Sequence, residues 1–122
     1  MEHVNITMEE IKELSRQFAL CQKVLTAIGD ETRMHLLFVM MNSGKCDGIR
    51  VGEIAEQTNL SRPAVSHHLQ ILKDAGIIKM RREATKNYYY IDADTDKMDE
   101  LIQLFQHVKE IMQLLPDRSG DE

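Results

Sequence analysis

Two stretches near the ends of the chain carry apolar residues at alternating steps of three and four. Steps of this kind are typical of a helix with a narrow heptad seam. The first stretch follows a capping box at Thr7–Glu10, which predicts that its helix begins near Met8. The second predicts a helix over residues 96–115. The seam positions are Ile11, Leu14, Phe18, Cys21, Leu25 and Ile28 in the first helix, and Met98, Leu101, Phe105, Val108, Met112 and Leu115 in the second.

Between the two seams lie shorter elements. Asp30 is a suitable N-cap for a helix from Glu31 to about Met41, ended by the turn-forming residues that follow it. One face of that helix carries Met34, Leu37, Phe38 and Met41. The next residues predict a loop, with a short strand at 49–51.

Residues 51–91 carry the most specific pattern. They predict a short helix (51–57), a tight turn, a second helix (61–76) and a hairpin with a polar tip at 82–87. Helix, turn, helix and hairpin form a winged helix-turn-helix, which places its second helix in a DNA major groove. The predicted fold is therefore mainly helical with a small β-hairpin wing, in the order helix, helix, short strand, helix, helix, two strands, helix.

The second helix of this motif, here called the recognition helix, has two different sides. Val65, Leu69 and Leu72 share an inward face. The opposite side carries side chains that hydrogen-bond to base edges or phosphates, and the hairpin adds cations. His68 falls between the two sides, where a packing role is favoured over base contact. The predicted DNA-binding residues are Ser61, Arg62, Ser66, His67, Gln70, Lys73, Arg81, Arg82 and Lys86.

Charge is distributed unevenly along the chain. The whole chain has a formal net charge of -5, but six basic and only two acidic residues lie between Ser61 and Ile91, which gives that segment +4. A local basic surface attracts phosphate, and the acidic remainder limits non-specific binding. The alternative is that these cations only form a solvated surface.

Two apolar seams exceed what a core of this size needs, so we expect them to pair between subunits of a homodimer. The alternative is that both seams pack inside one chain. The predicted interface residues are Ile11, Leu14, Phe18, Cys21, Leu101, Phe105, Val108 and Met112.

Length and composition favour one domain over residues 1–122. Its predicted parts are a DNA-binding segment at 51–91, dimerisation helices at about 8–28 and 96–115, and a disordered tail at 117–122. No apolar run approaches the ~18 residues of a membrane span, and no signal peptide opens the chain. These features predict a cytoplasmic protein without membrane contact, whose two cysteines are reduced thiols.

Three segments resemble the ArsR/SmtB family of bacterial regulators: Ala27–Arg33, Ser61–Ile78 and the hairpin Arg81–Tyr90. The resemblance covers about residues 20 to 112. It implies a homodimer built from the first and last helices, an operator-binding repressor, and release by a metal or another inducer. Ala84 stands where many members have glycine, which puts the form of the wing turn in doubt.

The inducer-binding positions of the family are only partly matched. The Cys-x-Cys of the arsenic, cadmium and lead sensors is absent, because residues 50–54 contain no cysteine. The ligand spacing of the zinc sensors' interhelical site is matched by Asp94, Asp96, His107 and Glu110. An alignment that starts from the wing strand instead puts Ala93, Thr95, Gln106 and Lys109 at those ligand positions. The only cofactor that the spacing suggests is therefore a weakly bound metal at Asp94, Asp96, His107 and Glu110. A redox sensor would need Cys21 and Cys46 to meet.

The sequence thus predicts a sequence-specific DNA-binding transcriptional regulator, a dimeric repressor of an inverted-repeat operator in double-stranded DNA, released by an unidentified inducer. The alternative is a winged-helix interaction module that does not bind DNA. An enzyme is not expected, since the sequence contains no nucleophile with a paired base, no phosphate-binding loop and no closed metal motif.

Overall fold

The computed structural model describes residues 6–120. Within them the chain forms five helices and one two-stranded antiparallel hairpin, as predicted for a winged helix-turn-helix. The helices are α1 (Met8–Ile28), α2 (Glu31–Asn42), α3 (Val51–Thr58), α4 (Arg62–Asp74) and α5 (Asp96–Leu114), and the strands are β1 (Ile78–Glu83) and β2 (Lys86–Ile91). None of these helices is long and apolar enough to cross a membrane.

Side-chain caps begin three of the helices, as the sequence predicts. Thr7 Oγ1 accepts a hydrogen bond from the Glu10 N–H at 3.1 Å, which starts α1. Asp30 Oδ1 accepts from the Arg33 N–H at 3.0 Å, and this N–H holds the pKa of Asp30 below its ordinary value. Ser61 Oγ accepts from Ala64 N–H at 3.2 Å at the start of α4. Each cap satisfies a backbone donor that the helix itself leaves unpaired.

The strands of the wing extend further toward its tip than predicted, and they are joined by a two-residue turn. The last cross-strand pair is Glu83 with Lys86, so the predicted polar tip at 82–87 was too long. Ala84 in the turn has φ +56°, a left-handed conformation in which glycine is preferred.

The strand predicted at 49–51 is reduced to one bridge. Ile49 N–H donates to Tyr89 O at 2.8 Å, and Tyr89 N–H donates to Ile49 O at 2.9 Å. Val51 already begins α3, so the chain turns from extended to helical within two residues. The bridge still fastens the loop before α3 to the base of the wing.

The chain divides into two compact units, and the boundaries between them lie inside α1 and inside the first turn of α5. Residues 23–97 form the first unit, with α2, α3, α4 and the wing around one apolar core. Its fully buried side chains include Leu36, Ile49, Ile54, Val65, Leu69, Leu72 and Ile78.

Helix α2 buries a different face from the one expected to be its apolar side. Leu36, Val39 and Met40 are buried, whereas Met34, Phe38 and Met41 are 38–54% exposed. Apolar residues surround most of α2, so periodicity alone does not decide which side faces the core.

The second unit contains α1 up to Gln22 and α5 from Met98 onward. His107 Nδ1 donates a hydrogen bond to Gln17 Oε1 at 2.6 Å, which joins the two helices. Of the eight predicted interface residues, Ile11, Phe18, Phe105 and Met112 are exposed, and Leu14 and Val108 are half-buried. Cys21 and Leu101 are buried within the chain, at 1% and 5% exposure.

The predicted α5 seam therefore mixes two apolar stripes. One contributes Leu101 and Leu104 to the interior of the chain. The other is exposed and includes Ile102, which the three-four spacing missed. The exposed stripe is Met98, Ile102, Phe105 and Met112. The predicted tail at 117–122 extends beyond the described residues at positions 121 and 122, and its disorder stays a prediction.

Candidate nucleic-acid interface

Helix α4 has the two-sided character predicted for a recognition helix. Val65, Leu69 and Leu72 are fully buried, so burial fixes which side of the helix faces outward. The outward side carries the residues predicted to contact DNA. Arg62, Ser66, His67 and Gln70 are exposed, and Lys73 is half-exposed.

The turn before α4 is built from local hydrogen bonds. Thr58 Oγ1 donates to Ile54 O at 2.8 Å, which closes the end of α3. Asn59 then takes a left-handed conformation with φ +58°, a conformation that Asn tolerates better than most residues. The chain enters α4 two residues later, at the Ser61 cap. This short connection sets the helix-turn-helix arrangement of α3 and α4.

Arg33 joins three elements of the unit formed by residues 23–97. Its Nε donates to Ala27 O at 2.7 Å and its Nη2 to Thr26 O at 3.1 Å, both among the last carbonyls of α1. Its Nη1 lies 3.4 Å from Nδ1 of His68 in α4. His68 is half-buried beside it, which gives the histidine a packing role. Sequence reasoning used Arg33 only as part of a family motif and missed this function.

Arg81 is held by the protein itself. Its Nε donates to Asp47 O at 3.1 Å, and its Nη1 donates to Glu83 Oε2 at 2.9 Å, which raises its pKa. Its guanidinium carbon lies 4.5 Å from the centre of the Tyr88 ring, a cation–π contact. These contacts brace the wing and leave Arg81 less available to DNA than the sequence alone indicates.

The other cations of this segment differ in whether a carboxylate neutralises them. Lys79 Nζ lies 3.1 Å from Asp92 Oδ2. The pKa of Asp92 is lowered first by the Asp94 N–H and then by Lys79. Within residues 6–120 the structure pairs none of the remaining four with a carboxylate. These are Arg62, Lys73, Arg82 and Lys86.

Gln70 is oriented by a neighbour one turn along α4. Its Nε2 donates to Asp74 Oδ1 at 2.8 Å. This bond uses one of the two amide hydrogens, so the other hydrogen and Oε1 can still form the paired contact that Gln makes with adenine. Gln70 is therefore a candidate for base recognition whose side chain is already oriented within α4.

The four predicted metal ligands do not meet in one chain. Asp94 Oδ1 accepts from Asp96 N–H at 2.9 Å, and Glu110 Oε1 accepts from Gln106 Nε2 at 3.3 Å. Asp96 and His107 lie on one helix, where eleven residues span roughly 16 Å at ~1.5 Å each. No three His, Cys, Asp or Glu residues among the described ones are grouped to hold a metal. A site built from this set needs a second chain, and it stays a prediction.

The two cysteines lie in different settings, and among the described residues neither forms a disulfide. Cys21 is buried in α1 and Cys46 is exposed in the loop before α3. A pairing of these two cysteines within or between subunits also stays a prediction.

The chain is similar to known transcriptional regulators in sequence and in structure. The family described as "Bacterial regulatory protein, arsR family" matches residues 30–80, from the α2 cap into β1. A cadmium resistance transcriptional regulatory protein CadC homolog of Staphylococcus aureus is 32% identical over 102 residues, 82% of this chain and 80% of that protein. The transcriptional repressor SdpR of Bacillus subtilis is 39% identical over 69 residues, 57% of this chain and 72% of that protein. The solved structure of HlyU from Vibrio cholerae superposes with a TM-score of 0.54 at 25% identity, covering 74% of this chain and 94% of that one.

Proposed function

This chain belongs to the ArsR family of DNA-binding transcriptional regulators, and from that premise we propose that it is a homodimeric repressor of an inverted-repeat operator. The observation that carries the proposal is the outward side of α4, where polar side chains lie between Arg62 and Lys73. Neither cation has a carboxylate partner in the described part of the chain. Such a surface can bind double-stranded DNA, because polar side chains form hydrogen bonds with base edges and cations contact phosphates. Its proposed place of action is the cytoplasm.

In this proposal Gln70 and His67 contact base edges, and Arg62, Arg82 and Lys86 contact phosphates. Ser61, Ser66 and Lys73 line the same side of α4 and supply further polar contacts. Arg81 contributes mainly by bracing the wing through its bonds to Asp47 and Glu83.

The dimer interface is proposed to be the exposed apolar surface of α1 and α5. It retains six of the eight predicted residues and adds exposed apolar residues of the same helices, such as Met98 and Ile102. Cys21 and Leu101 are left out because they are buried within the chain. Two protomers related by a two-fold axis present two recognition helices, which matches half-sites about 10 base pairs apart or a multiple of that.

Separate substitutions should distinguish base recognition from phosphate contact. Gln70→Ala and His67→Ala are each expected to relax the preference at particular bases, by about 1–3 kcal/mol for a lost paired contact. Arg82→Ala should weaken binding to all duplexes alike and lower the salt slope of the affinity by about one unit. The measurement is fluorescence anisotropy with labelled duplexes in a salt titration.

The matched control for these variants is Gln113→Ala, because Gln113 is an exposed glutamine of α5 outside the proposed surface. It should bind like the wild type. Unchanged affinity and specificity in all three test variants would show that α4 and the wing are not the DNA-contacting surface.

We also expect no tight response to zinc. Asp94, Asp96, His107 and Glu110 offer three carboxylates and one imidazole, whereas zinc prefers nitrogen and sulfur ligands. Any metal effect should be weak and favour an ion that prefers oxygen ligands. The measurement is operator affinity with and without zinc for the wild type and for His107→Ala. A large release by zinc that disappears in His107→Ala would establish the site that we expect to be weak.

A further inference from the structure

Arg62 lies against a glycine of the neighbouring helix. A Cβ built on Gly52 would stand 2.9 Å from Arg62 Nη2, 3.2 Å from Cζ and 3.5 Å from Nε. All three atoms belong to the planar guanidinium, so this group covers the place where a side chain at position 52 would begin. The first turn of α3 and the first residue of α4 are thereby in direct contact.

The backbone gives no other reason for glycine at this position. The glycines with left-handed φ are Gly44, Gly48 and Gly76, and Gly52 is not among them. Glycine is also a poor helix former, so its presence inside α3 carries a conformational cost that alanine would remove. What the missing side chain provides is room for the arginine.

The surrounding charges do not account for the position of Arg62. The cleft around it, of about 210 Å³, is lined by Arg50, Gly52, Glu53, Glu56 and Arg62. Glu53 forms an ion pair with Lys45. In residues 6–120 Arg62 itself lies within ion-pair distance of neither glutamate of the cleft. Shape, rather than a salt bridge, holds the guanidinium on α3.

We propose that Gly52 is a positioning residue for DNA binding, acting through Arg62. The inference rests on the proposed function, in which Arg62 contacts a phosphate. Arg62 is the first residue of the recognition helix. In helix-turn-helix proteins this end of the helix enters the major groove, and the preceding helix crosses the DNA backbone next to it. An arginine held flat on α3 loses less side-chain freedom when it binds than one that moves in solvent.

The test is a double-mutant cycle on a duplex that the wild type selects from a random library. Arg62→Ala should weaken binding about tenfold and lower the salt slope by about 0.9 for one lost phosphate contact. Gly52→Ala should weaken binding several-fold and lower the salt slope by a smaller amount. Its unfolding temperature should nevertheless equal or exceed that of the wild type, because alanine is the better helix former. In the Arg62→Ala background, Gly52→Ala should have no further effect on affinity.

The outcomes separate this inference from the proposed function. If Arg62→Ala binds like the wild type, Arg62 is not a DNA contact and its assignment under the proposed function is wrong. If Arg62→Ala weakens binding but Gly52→Ala does not, the positioning role is wrong and the contact stands. If Gly52→Ala weakens binding equally in both backgrounds, position 52 acts independently of Arg62, which also overturns the inference.

Discussion

Phe105→Asp is expected to convert the proposed homodimer into monomer or aggregate and to abolish tight operator binding. Phe105 is 53% exposed in the single chain, on the outward apolar stripe of α5. Covering half of its roughly 200 Å² at ~25 cal/mol per Å² contributes about 2.5 kcal/mol per protomer. The substitution removes this term twice and places two carboxylates in an apolar interface. Light scattering at several protein concentrations measures the result.

The matched control is Gln103→Asp, which adds the same charge at an exposed polar position of α5. It should remain dimeric and bind the operator. A stable dimer in Phe105→Asp would contradict the assignment of the interface to this stripe. Loss of the dimer in both variants would show that added charge on α5, rather than the apolar stripe, is responsible.

Arg33→Ala is expected to destabilise the protein by about 3 kcal/mol, because each hydrogen bond from a charged group contributes ~1.5–3 kcal/mol. The Arg33 side chain is 11% exposed. Its loss leaves the carbonyls of Thr26 and Ala27 without these donors. The melting temperature should fall by roughly 10 °C for a domain of this size. Thermal unfolding followed by circular dichroism measures the change.

Arg16→Ala is the control for this prediction. Arg16 pairs with Glu13 at 2.5 Å on the surface of α1, with its side chain 59% exposed. An exposed pair of this kind contributes about 0–1 kcal/mol, so its loss should shift the melting temperature little. Equal melting temperatures for Arg33→Ala and Arg16→Ala would show that Arg33 does not connect the three helices.

Local signals in the sequence were enough to predict the elements and the recognition helix. Thr7, Asp30 and Ser61 each place a polar oxygen three residues before a backbone donor, and this geometry depends only on neighbouring residues. The burial of Val65, Leu69 and Leu72 was likewise predictable, because polar and cationic residues occupy the opposite side of α4.

The features that were missed depend on contacts between elements. Periodicity did not determine which side of α2 or α5 faces the core, since both helices carry apolar residues on more than one side. The wing turn is shorter than its polar composition indicated because cross-strand pairing continues to Glu83 and Lys86. The roles of Arg33 and Gly52 appear only when α1, α3 and α4 are placed together. In the sequence, Arg33 was visible only as a residue of the family motif, and Gly52 only as a glycine inside a predicted helix.

In the proposed function, α4 and the wing bind a specific DNA sequence as a dimer. Selection from a random duplex library by the wild-type protein, followed by measurement of the stoichiometry on the selected duplex, tests it most directly. We predict an inverted repeat with half-sites about 10 base pairs apart, or a multiple of that, bound by two chains. Failure to enrich any sequence, or binding of all duplexes with equal affinity at every salt concentration, would contradict the claim.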